Sequence, residues 1–276
     1  FPAFAHVFHQ TNPPTEPTTA MPARRLPQPS LSTFALALIA AAGLVQAGTI
    51  DPEQEAKWFN TYKKQANIPK PEEMLVNTDP EPALTEGFKD LFNGRDLEGW
   101  TPKGGTCTFE AKDDCIVGTC VPKSPSTYLC TDKNDFTDFI FTCEMKWEVD
   151  GNSGVMLRSF DVKGKNDKIN PTGPQAEMEG FAKKRYWSGG IYGQSCGGWF
   201  YPLWLKEHAA ARKALKKDGW NRLTIQAKGN VIKTWLNGAP AAHWTTDKYM
   251  KGYFGLQVHS VKECKILWRG LKVKEL

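Results

Sequence analysis

The sequence lacks the patterns that mark several common functional classes. Its 276 residues contain no Cys-x-x-Cys pair and no His-x-x-x-His spacing, so a structural zinc site is not supported. Basic residues form no block and do not interleave with aromatic residues, and the formal charge of +5 arises from 35 basic and 30 acidic side chains of mixed order. This distribution argues against nucleic acid as a partner.

Long apolar runs are also scarce. One run, residues 34–45, is too short to span a bilayer. Two arginines after Met21 precede it and the small-residue site Val45-Gln46-Ala47 follows it, an order typical of an export signal. We therefore expect residues 1–20 to be translated upstream sequence and residues 21–47 to be a signal peptide. The mature chain would then be exported to the periplasm or the extracellular space without a transmembrane segment.

All seven cysteines follow this signal, and export permits disulfide formation. The odd count leaves at least one thiol unpaired. If Asp113-Asp114 forms a two-residue turn, Cys107 lies opposite Cys120 at a non-hydrogen-bonded position, where the backbones approach closely enough for a bridge. The sequence therefore predicts that these two residues can pair.

The segment Asp51-Pro52-Glu53-Gln54 predicts a helix. It supplies an N-cap, a proline at the first helical position and a capping-box partner, and the helix should continue to about Ala66. Ala56, Phe59 and Tyr62 recur at helical spacing and could dock on a larger domain. The prolines and acidic residues that follow indicate an extended linker.

The pattern of residues 88–276 predicts a β-domain. The helix and linker of residues 48–87 precede it. Residues 139–147 alternate between apolar and polar side chains, and Gly229-Asn230 and Asn237-Gly238 are two-residue turns within an antiparallel meander. These features predict an all-β sandwich of two antiparallel sheets. The stretch 205–217 is the one candidate helix inside the domain.

The most informative strand is Gly173-Pro-Gln-Ala-Glu-Met-Glu-Gly180. Strand alternation places Gln175, Glu177 and Glu179 on one face, with Ala176 and Met178 on the other. Two carboxylates beside a carboxamide suit the binding of a sugar or the transfer of a proton. The alternative is a strand that faces solvent.

An ordered set of short motifs between Phe88 and Leu276 resembles the 3-keto-disaccharide hydrolase domain family, long described as a domain of unknown function. The strand above matches the Gly-Pro-Gln subtype that is exported. The other matching motifs are Leu91–Trp100, Leu129–Lys133, Asp138-Phe139, Asn152–Val155 with Arg158, Gly190–Gly193, Gly219–Asn221, Leu236–Gly238 and Gly255–His259.

The resemblance implies a concanavalin A-like jelly-roll sandwich of bacterial origin. It also implies cleavage of glycosidic bonds in 3-keto-glycosides and 3-keto-disaccharides, whose sugar already carries a ketone at C3. Many family members have Glu-x-Gln where this chain has Gln175-x-Glu177, which leaves open the position of the base. The polar pocket of the family corresponds to Arg158, Gln175, Glu177, Tyr192, Gln257 and His259.

The C2 proton of such a glycoside is acidic because the carbanion delocalises onto the ketone. Cleavage needs a base for this proton, a cation or donor for the enolate oxygen and an acid for the leaving oxygen, after which water adds to the unsaturated sugar. We expect Glu177 to be the base, Arg158 to hold the enolate or a hydroxyl, and Tyr192 to be the acid, with His259 as a further catalytic residue. Structural alternatives are a Glu177–Arg158 ion pair, a satisfied core histidine and a packing tyrosine.

Five other residues are expected to bind the sugar. Trp187 and Trp199 could stack on it. Glu177 and His259 could ligate a divalent metal that would stabilise an enolate, although their spacing alone does not show a metal site. The remaining polar residues of the binding set are Gln175, Glu179 and Gln257.

Three other functions stay open at the level of sequence. A lectin-like module would bind glycan on the same face without catalysis. An ordinary glycoside hydrolase of this fold would use Glu177 and Glu179, although Ala182 replaces the last acid of its Glu-x-Asp-x-x-Glu pattern. An interaction domain would be tethered through the predicted helix if that helix left an apolar stripe exposed. The sequence carries no signal for the leaving group or the oligomeric state.

Overall fold

The computed structural model describes residues 48–164 and 167–276. The predicted signal peptide and the residues before it lie outside the described part of the chain. Within that part, no helix is both long and apolar enough to cross a membrane.

Eight strands form the first antiparallel sheet. They are β1 (Lys89–Asp90), β3 (Thr108–Lys112), β4 (Cys115–Thr119), β6 (Phe139–Val149), β11 (Asn221–Lys228), β12 (Val231–Leu236), β13 (Ala239–Thr245) and β15 (Lys265–Glu275). Their order across the sheet is β13-β12-β11-β6-β15-β4-β3, and β1 pairs with β15.

Seven strands form the second antiparallel sheet. They are β2 (Trp100–Gly104), β5 (Thr127–Thr131), β7 (Ser153–Lys163), β8 (Ile169–Met178), β9 (Ile191–Gln194), β10 (Gly198–Tyr201) and β14 (Tyr253–Val258). Their order is β10-β9-β8-β7-β14-β5-β2, so β8 lies between β9 and β7.

The hydrophobic core lies between the two sheets. Phe141 and Ile225 of the first sheet join Val155, Met178 and Leu256 of the second in one buried cluster. The predicted meander is confirmed, because Leu223 pairs with Leu236 and Ile225 with Thr234 in the expected register. The predicted sandwich of two antiparallel sheets is therefore confirmed.

The β3–β4 hairpin also has the predicted register. Lys112 pairs with Cys115, and the turn residues Asp113 and Asp114 both have positive φ, at 51° and 57°, as a tight hairpin turn of this type requires. Cys107 and Cys120 lie just beyond the paired residues, and both side chains are buried. Both are free thiols in the structure, so their pairing remains a prediction.

The arm, residues 48–67, contains the predicted helix. Its helical run comprises α1 (Pro52–Gln54), a π-helical turn (Glu55–Phe59) and α2 (Asn60–Tyr62), and it ends four residues before the predicted end. Asp51 is the N-cap as expected, since its carboxylate accepts from the amide of Glu53 at 3.0 Å. Gln54 is not the capping-box partner, because its side chain reaches Trp187 in the domain.

The arm docks on the β-domain, as its apolar spacing predicted. The ring of Phe59 packs edge-on against Trp204 at 5.0 Å between centroids, and Tyr62 packs against Trp187 at 5.6 Å. Phe59 and Tyr62 are thus half-buried against the domain of the same chain, whereas Ala56, the third residue of the predicted stripe, is exposed. A tethered interaction domain would require a large apolar stripe exposed on this helix, and the packing of Phe59 and Tyr62 does not leave one.

The predicted linker is held against the first sheet. Glu81 accepts from Arg222 at 2.9 Å and from Thr224 at 2.6 Å, both on β11. Asn77 is buried and donates to the carbonyl of Thr234 at 3.0 Å. Apart from a 3-10 turn at Pro71–Glu73, the linker residues 68–88 form neither helix nor strand, with bends at residues 79 and 85–87. The predicted internal helix is shorter than expected, with a 3-10 turn at Lys206–His208 followed by α3 (Ala209–Ala214).

Candidate active site

A cavity of about 250 Å³ lies over the face of the second sheet that points away from the core. Strand β8 gives this face of the sheet a carboxylate, since Ala176 and Met178 enter the core and Glu177 between them lines the cavity. Its volume is just below the range of about 300–1,000 Å³ typical of drug-sized ligands. The lining residues are Tyr62, Gln65, Asn152, Glu177, Lys183, Arg185, Tyr192, Gln194, Trp199, His259 and Val261.

A row of hydrogen-bonded side chains crosses the sheet toward Glu177. Gln257 Nε2 on β14 donates to the hydroxyl of Tyr128 on β5 at 3.2 Å. Gln175 Nε2 donates to Gln257 Oε1 at 3.2 Å and to Glu177 Oε2 at 2.8 Å. Asn152 Nδ2 donates to the other carboxylate oxygen. The row therefore fixes both oxygens of Glu177 with neutral amide donors.

Gly154 makes this row possible. It pairs with Glu177 across β7 and β8, and a Cβ at this position would lie 2.6 Å from the side chain of Gln175. Because glycine lacks that atom, Gln175 can cross over β7 and reach Gln257 on β14. The Asn152-Ser153-Gly154 sequence thus supplies both a donor to the carboxylate and the room for its neighbour.

The environment of Glu177 favours its protonated form and so raises its pKa above that of an ordinary glutamate. Burial raises its pKa to about 7, and the negative charge of Glu179 acts in the same direction. Hydrogen bonds from Asn152 and Gln175 and the charge of Arg185 oppose the shift without cancelling it. A buried carboxylate with a pKa near neutrality can both remove and return a proton at physiological pH.

Glu179 has the opposite environment. Its carboxylate accepts from Arg185 Nε at 2.8 Å and from the amide of Trp187 at 3.0 Å, and both members of the ion pair are almost fully buried. Burial alone would lower the pKa of Arg185, but the hydrogen bond and the charge of Glu179 raise it. Glu179 does not line this cavity but a neighbouring one, which shares Asn152, Lys183 and Val261 with it. It acts on the site by holding Arg185.

The structure brings Tyr192 and His259 to the cavity with Glu177, as predicted. Burial and the charge of Glu177 raise the pKa of Tyr192, which keeps its hydroxyl protonated. Burial lowers the pKa of His259, and the charge of Lys183 lowers it further. His259 Nδ1 lies 3.1 Å from the carbonyl oxygen of Ser260, which can only accept, so the neutral ring keeps Nε2 as an acceptor.

Arg158 does not lie beside Glu177, and the prediction that it does is wrong. Its Nε donates to the carbonyl of Thr137 at 2.8 Å, its Nη1 to that of Gly229 at 2.8 Å, and its Nη2 to Asp138 at 3.1 Å. Its place in the pocket was implied by the family resemblance. A register shift between Met156 and Phe160, together with a φ of 45° at Arg158, breaks the regular alternation of β7 and turns the side chain away.

The residues expected to bind sugar also separate into two groups. Trp199 lines the cavity, and its ring packs edge-on against Tyr192 at 5.3 Å. Trp187 is fully buried in the core and donates through Nε1 to Gln54 at 2.8 Å. Gln175 and Gln257 are fully buried supports of Glu177 and do not line the cavity.

Several lining residues were not identified as site residues from the sequence. Arg185 and Lys183 lie in the loop between β8 and β9, where no periodicity points to the site. Tyr62 and Gln65 come from the arm. The helical spacing of Tyr62 predicted that this residue docks on the domain, but not that it lines the cavity. Asn152 belonged to a recognised motif but had no assigned role.

The described residues do not assemble a metal site. No group of three or more His, Cys, Asp or Glu side chains in residues 48–164 and 167–276 has an arrangement suited to an ion. Glu177 and His259 both line the cavity, but each oxygen of Glu177 already accepts an amide hydrogen. Hard divalent cations need several oxygen ligands, which these residues do not supply.

Comparisons with solved structures agree with this architecture. A candidate glycosyl hydrolase from Parabacteroides distasonis is 20% identical and aligns with 72% of this chain and all of its own, with a TM-score of 0.50. At this identity the likeness shows the fold alone. The carbohydrate-binding module CBM66 from Bacillus subtilis is 16% identical, with 64% of this chain and 95% of the module covered and a TM-score of 0.44. No curated protein matched the chain.

The comparison with family models concerns most of the β-domain. The model described as a 3-keto-alpha-glucoside-1,2-lyase-like domain matches residues 87–274. This range includes β8 and every cavity residue except Tyr62 and Gln65 of the arm. It also agrees with the family that the sequence motifs resemble. The chain therefore belongs to the family of 3-keto-alpha-glucoside-1,2-lyase-like domains.

Proposed function

We propose that this protein cleaves glycosidic bonds of 3-keto-glycosides by elimination followed by hydration, with Glu177 as the base. The single observation that carries the proposal is the buried Glu177 carboxylate in the cavity, held by neutral amides and with its pKa raised to about 7. Membership of the family supports a carbohydrate substrate.

The proposed reaction uses groups that line the cavity. Glu177 removes the C2 proton, and the electron pair of the C2–H bond moves toward the C3 ketone to give an enolate. The enolate then reforms the ketone, creates the C1–C2 double bond and expels the C1 oxygen substituent. Lys183 places positive charge at this site, which favours the anionic intermediate, whereas the charge of Arg185 is balanced by Glu179.

Tyr192 is the proposed acid for the leaving oxygen. Its raised pKa keeps the hydroxyl proton in place until the leaving group becomes strongly basic. Water then adds across the double bond. Its hydroxyl joins C1, its other proton returns to the Tyr192 phenolate, and the proton held by Glu177 returns to C2. The net change is hydrolysis, so no oxidant or reductant is needed. The neutral His259 can accept a hydrogen bond from a sugar hydroxyl or from this water.

Two alternatives are less well supported by the geometry. A lectin-like module would need no buried carboxylate with a pKa near neutrality, and this energetic cost is expected at catalytic sites. An ordinary glycoside hydrolase would need a second free carboxylate, but Glu179 is neutralised by Arg185.

The proposal is tested by incubation of the wild type with 3-keto-trehalose, and release of glucose is followed by NMR. Unoxidised trehalose is the control substrate, because its C2 proton is not acidic. We expect cleavage of the keto sugar alone. Equal cleavage of trehalose, or no cleavage of either sugar, would contradict the proposal.

A further inference from the structure

The arm contributes two residues to a cavity whose other lining residues all lie in the family domain. Tyr62 and Gln65 line the cavity, but the family match begins at residue 87. The cavity is therefore completed by a segment that lies outside the family match. The contacts of the arm with the domain decide which part of a substrate it can reach.

The arm is held in place at both of its ends. Near its start, Ile50 forms a β-bridge with Leu205, and the amide of Asp51 donates to the carbonyl of Trp204 at 2.9 Å. Near its end, Asn67 Nδ2 donates to the carbonyl of Gly197 at 3.3 Å. These contacts fix the position of the two cavity residues between them.

Tyr62 completes an aromatic enclosure around Arg185. The guanidinium lies 5.2 Å from the ring of Tyr62 and 5.6 Å from that of Trp58, both from the arm. Trp187 and Trp199 of the domain lie at 4.7 and 4.8 Å. Arg185 Nη1 also donates to the Tyr62 hydroxyl at 2.6 Å. The phenol thus contacts the cation that is paired with Glu179 and lies beside the proposed base.

Gln65 attaches the arm to the edge strand of the second sheet. Its Oε1 accepts from the amide of Trp199 on β10 at 2.9 Å. Gly198 allows this approach, because a Cβ there would lie 2.6 Å from Gln65 Oε1. The interaction uses the oxygen of the carboxamide and leaves its Nε2 hydrogens as donors at the cavity wall.

The order of strands gives the cavity a direction. Glu177 is on β8, Tyr192 and Trp199 are on β9 and β10 to one side, and His259 follows β14 on the other. Tyr62 and Gln65 contact residues of the β9–β10 side. Because Tyr192 is the proposed acid for the leaving oxygen, the leaving group should lie on the side of the arm.

We infer that Tyr62 and Gln65 bind the leaving-group half of the substrate and that the arm therefore determines which leaving groups are accepted. This inference rests on the proposed function. The chemical class that fits is a second sugar, because the wall offers a phenol, a carboxamide and the ring of Trp199 for hydroxyl groups and an apolar sugar face.

The test compares two keto-glycosides with different leaving groups. Methyl 3-keto-glucoside releases methanol and 3-keto-trehalose releases a sugar. Tyr62→Phe and Gln65→Ala should each lower kcat/KM for 3-keto-trehalose by about tenfold, the effect of one lost hydrogen bond, with a much smaller effect on the methyl glycoside. Lys64→Ala is the matched control, since Lys64 is exposed on the same segment and does not line the cavity.

A purely structural role for the arm predicts equal losses for both substrates, which would overturn the inference. Unchanged selectivity in both variants would do the same. If the wild type cleaves neither keto-glycoside, the proposed function fails, and the arm is then judged by calorimetric titration with trehalose. Weaker trehalose binding in Tyr62→Phe and Gln65→Ala but not in Lys64→Ala would support it, whereas equal affinity in all variants would contradict it.

Discussion

Glu177 and Glu179 are two residues apart near the end of β8, yet their surroundings assign them different roles. Glu177 accepts only neutral amide donors and lines the cavity, and burial raises its pKa. Glu179 is enclosed with Arg185 and does not reach the cavity. The comparison shows that the charge of the partner, and not the position along the strand, decides which carboxylate is available for proton transfer.

The largest effect on stability is expected for Glu179→Gln. This change leaves Arg185 buried without its countercharge, and loss of one partner of a buried pair typically costs about 3–5 kcal/mol of unfolding free energy. Urea denaturation monitored by tryptophan fluorescence measures it. The double variant Glu179→Gln/Arg185→Met should lose less than the single variant. An unchanged unfolding free energy in Glu179→Gln would contradict the assigned role.

Glu177→Gln should instead act on turnover. It keeps the size of the side chain and one of its two acceptor oxygens but removes the base, so turnover of a 3-keto-glycoside should fall by about 10²-fold or more. Stability should be retained or increased, because a buried charge is removed. Steady-state kinetics and the urea experiment test both parts. A variant that keeps most of its activity would identify Glu177 as structural and make His259 the next candidate base.

Substitutions of the two buried arginines, Arg158 and Arg185, should likewise differ in their effects on stability and turnover. Arg158→Lys leaves backbone carbonyls without their planar donor, and unsatisfied buried groups cost about 1–3 kcal/mol, so stability should fall while turnover changes little. Arg185→Lys should reduce turnover as well, because the guanidinium lines the cavity and contacts Tyr62. Measurement of kcat/KM and of the urea midpoint for both variants tests the distinction. A larger loss of turnover in Arg158→Lys would reverse it.

The pH dependence is the smallest of these effects. Because the pKa of Glu177 is raised to about 7, the base is protonated below that pH, and kcat/KM should decrease by about tenfold per pH unit on its acid limb. The folded state also binds this proton more tightly than the unfolded state, so the contribution to stability is complete below about pH 4.5 and is lost as the pH rises through 7. Glu177→Gln should flatten that stability profile. An acid limb centred near pH 4.5 would contradict the raised pKa.

The features that were predictable from sequence depend on local periodicity. Alternation placed Gln175 and Glu177 opposite Ala176 on β8, and turn residues fixed the β3–β4 register. Alternation failed where the chain departs from regular strand geometry. The bulge at Arg158 redirects that side chain, and β8 ends at Met178, one residue before Glu179.

The missed residues of the site reach it through tertiary packing. Lys183 and Arg185 lie in a loop, and Gln65 follows the end of the arm helix, so neither a 2-residue nor a 3.6-residue period points to the cavity. Asn152 lies in the turn before β7, and its hydrogen bond to Glu177 depends on the pairing of two strands. Such contacts are set by the assembled sheet and are not visible in a single segment.

The most direct test of proton abstraction by Glu177 is a kinetic isotope effect at C2. Initial rates of cleavage are compared by NMR for 3-keto-trehalose and for the same sugar with deuterium at C2 of its oxidised ring. Abstraction of the C2 proton predicts slower cleavage of the deuterated sugar by the wild type, and little product from either sugar with Glu177→Gln. Equal rates for the two sugars, together with cleavage at the wild-type rate by Glu177→Gln, would contradict the account.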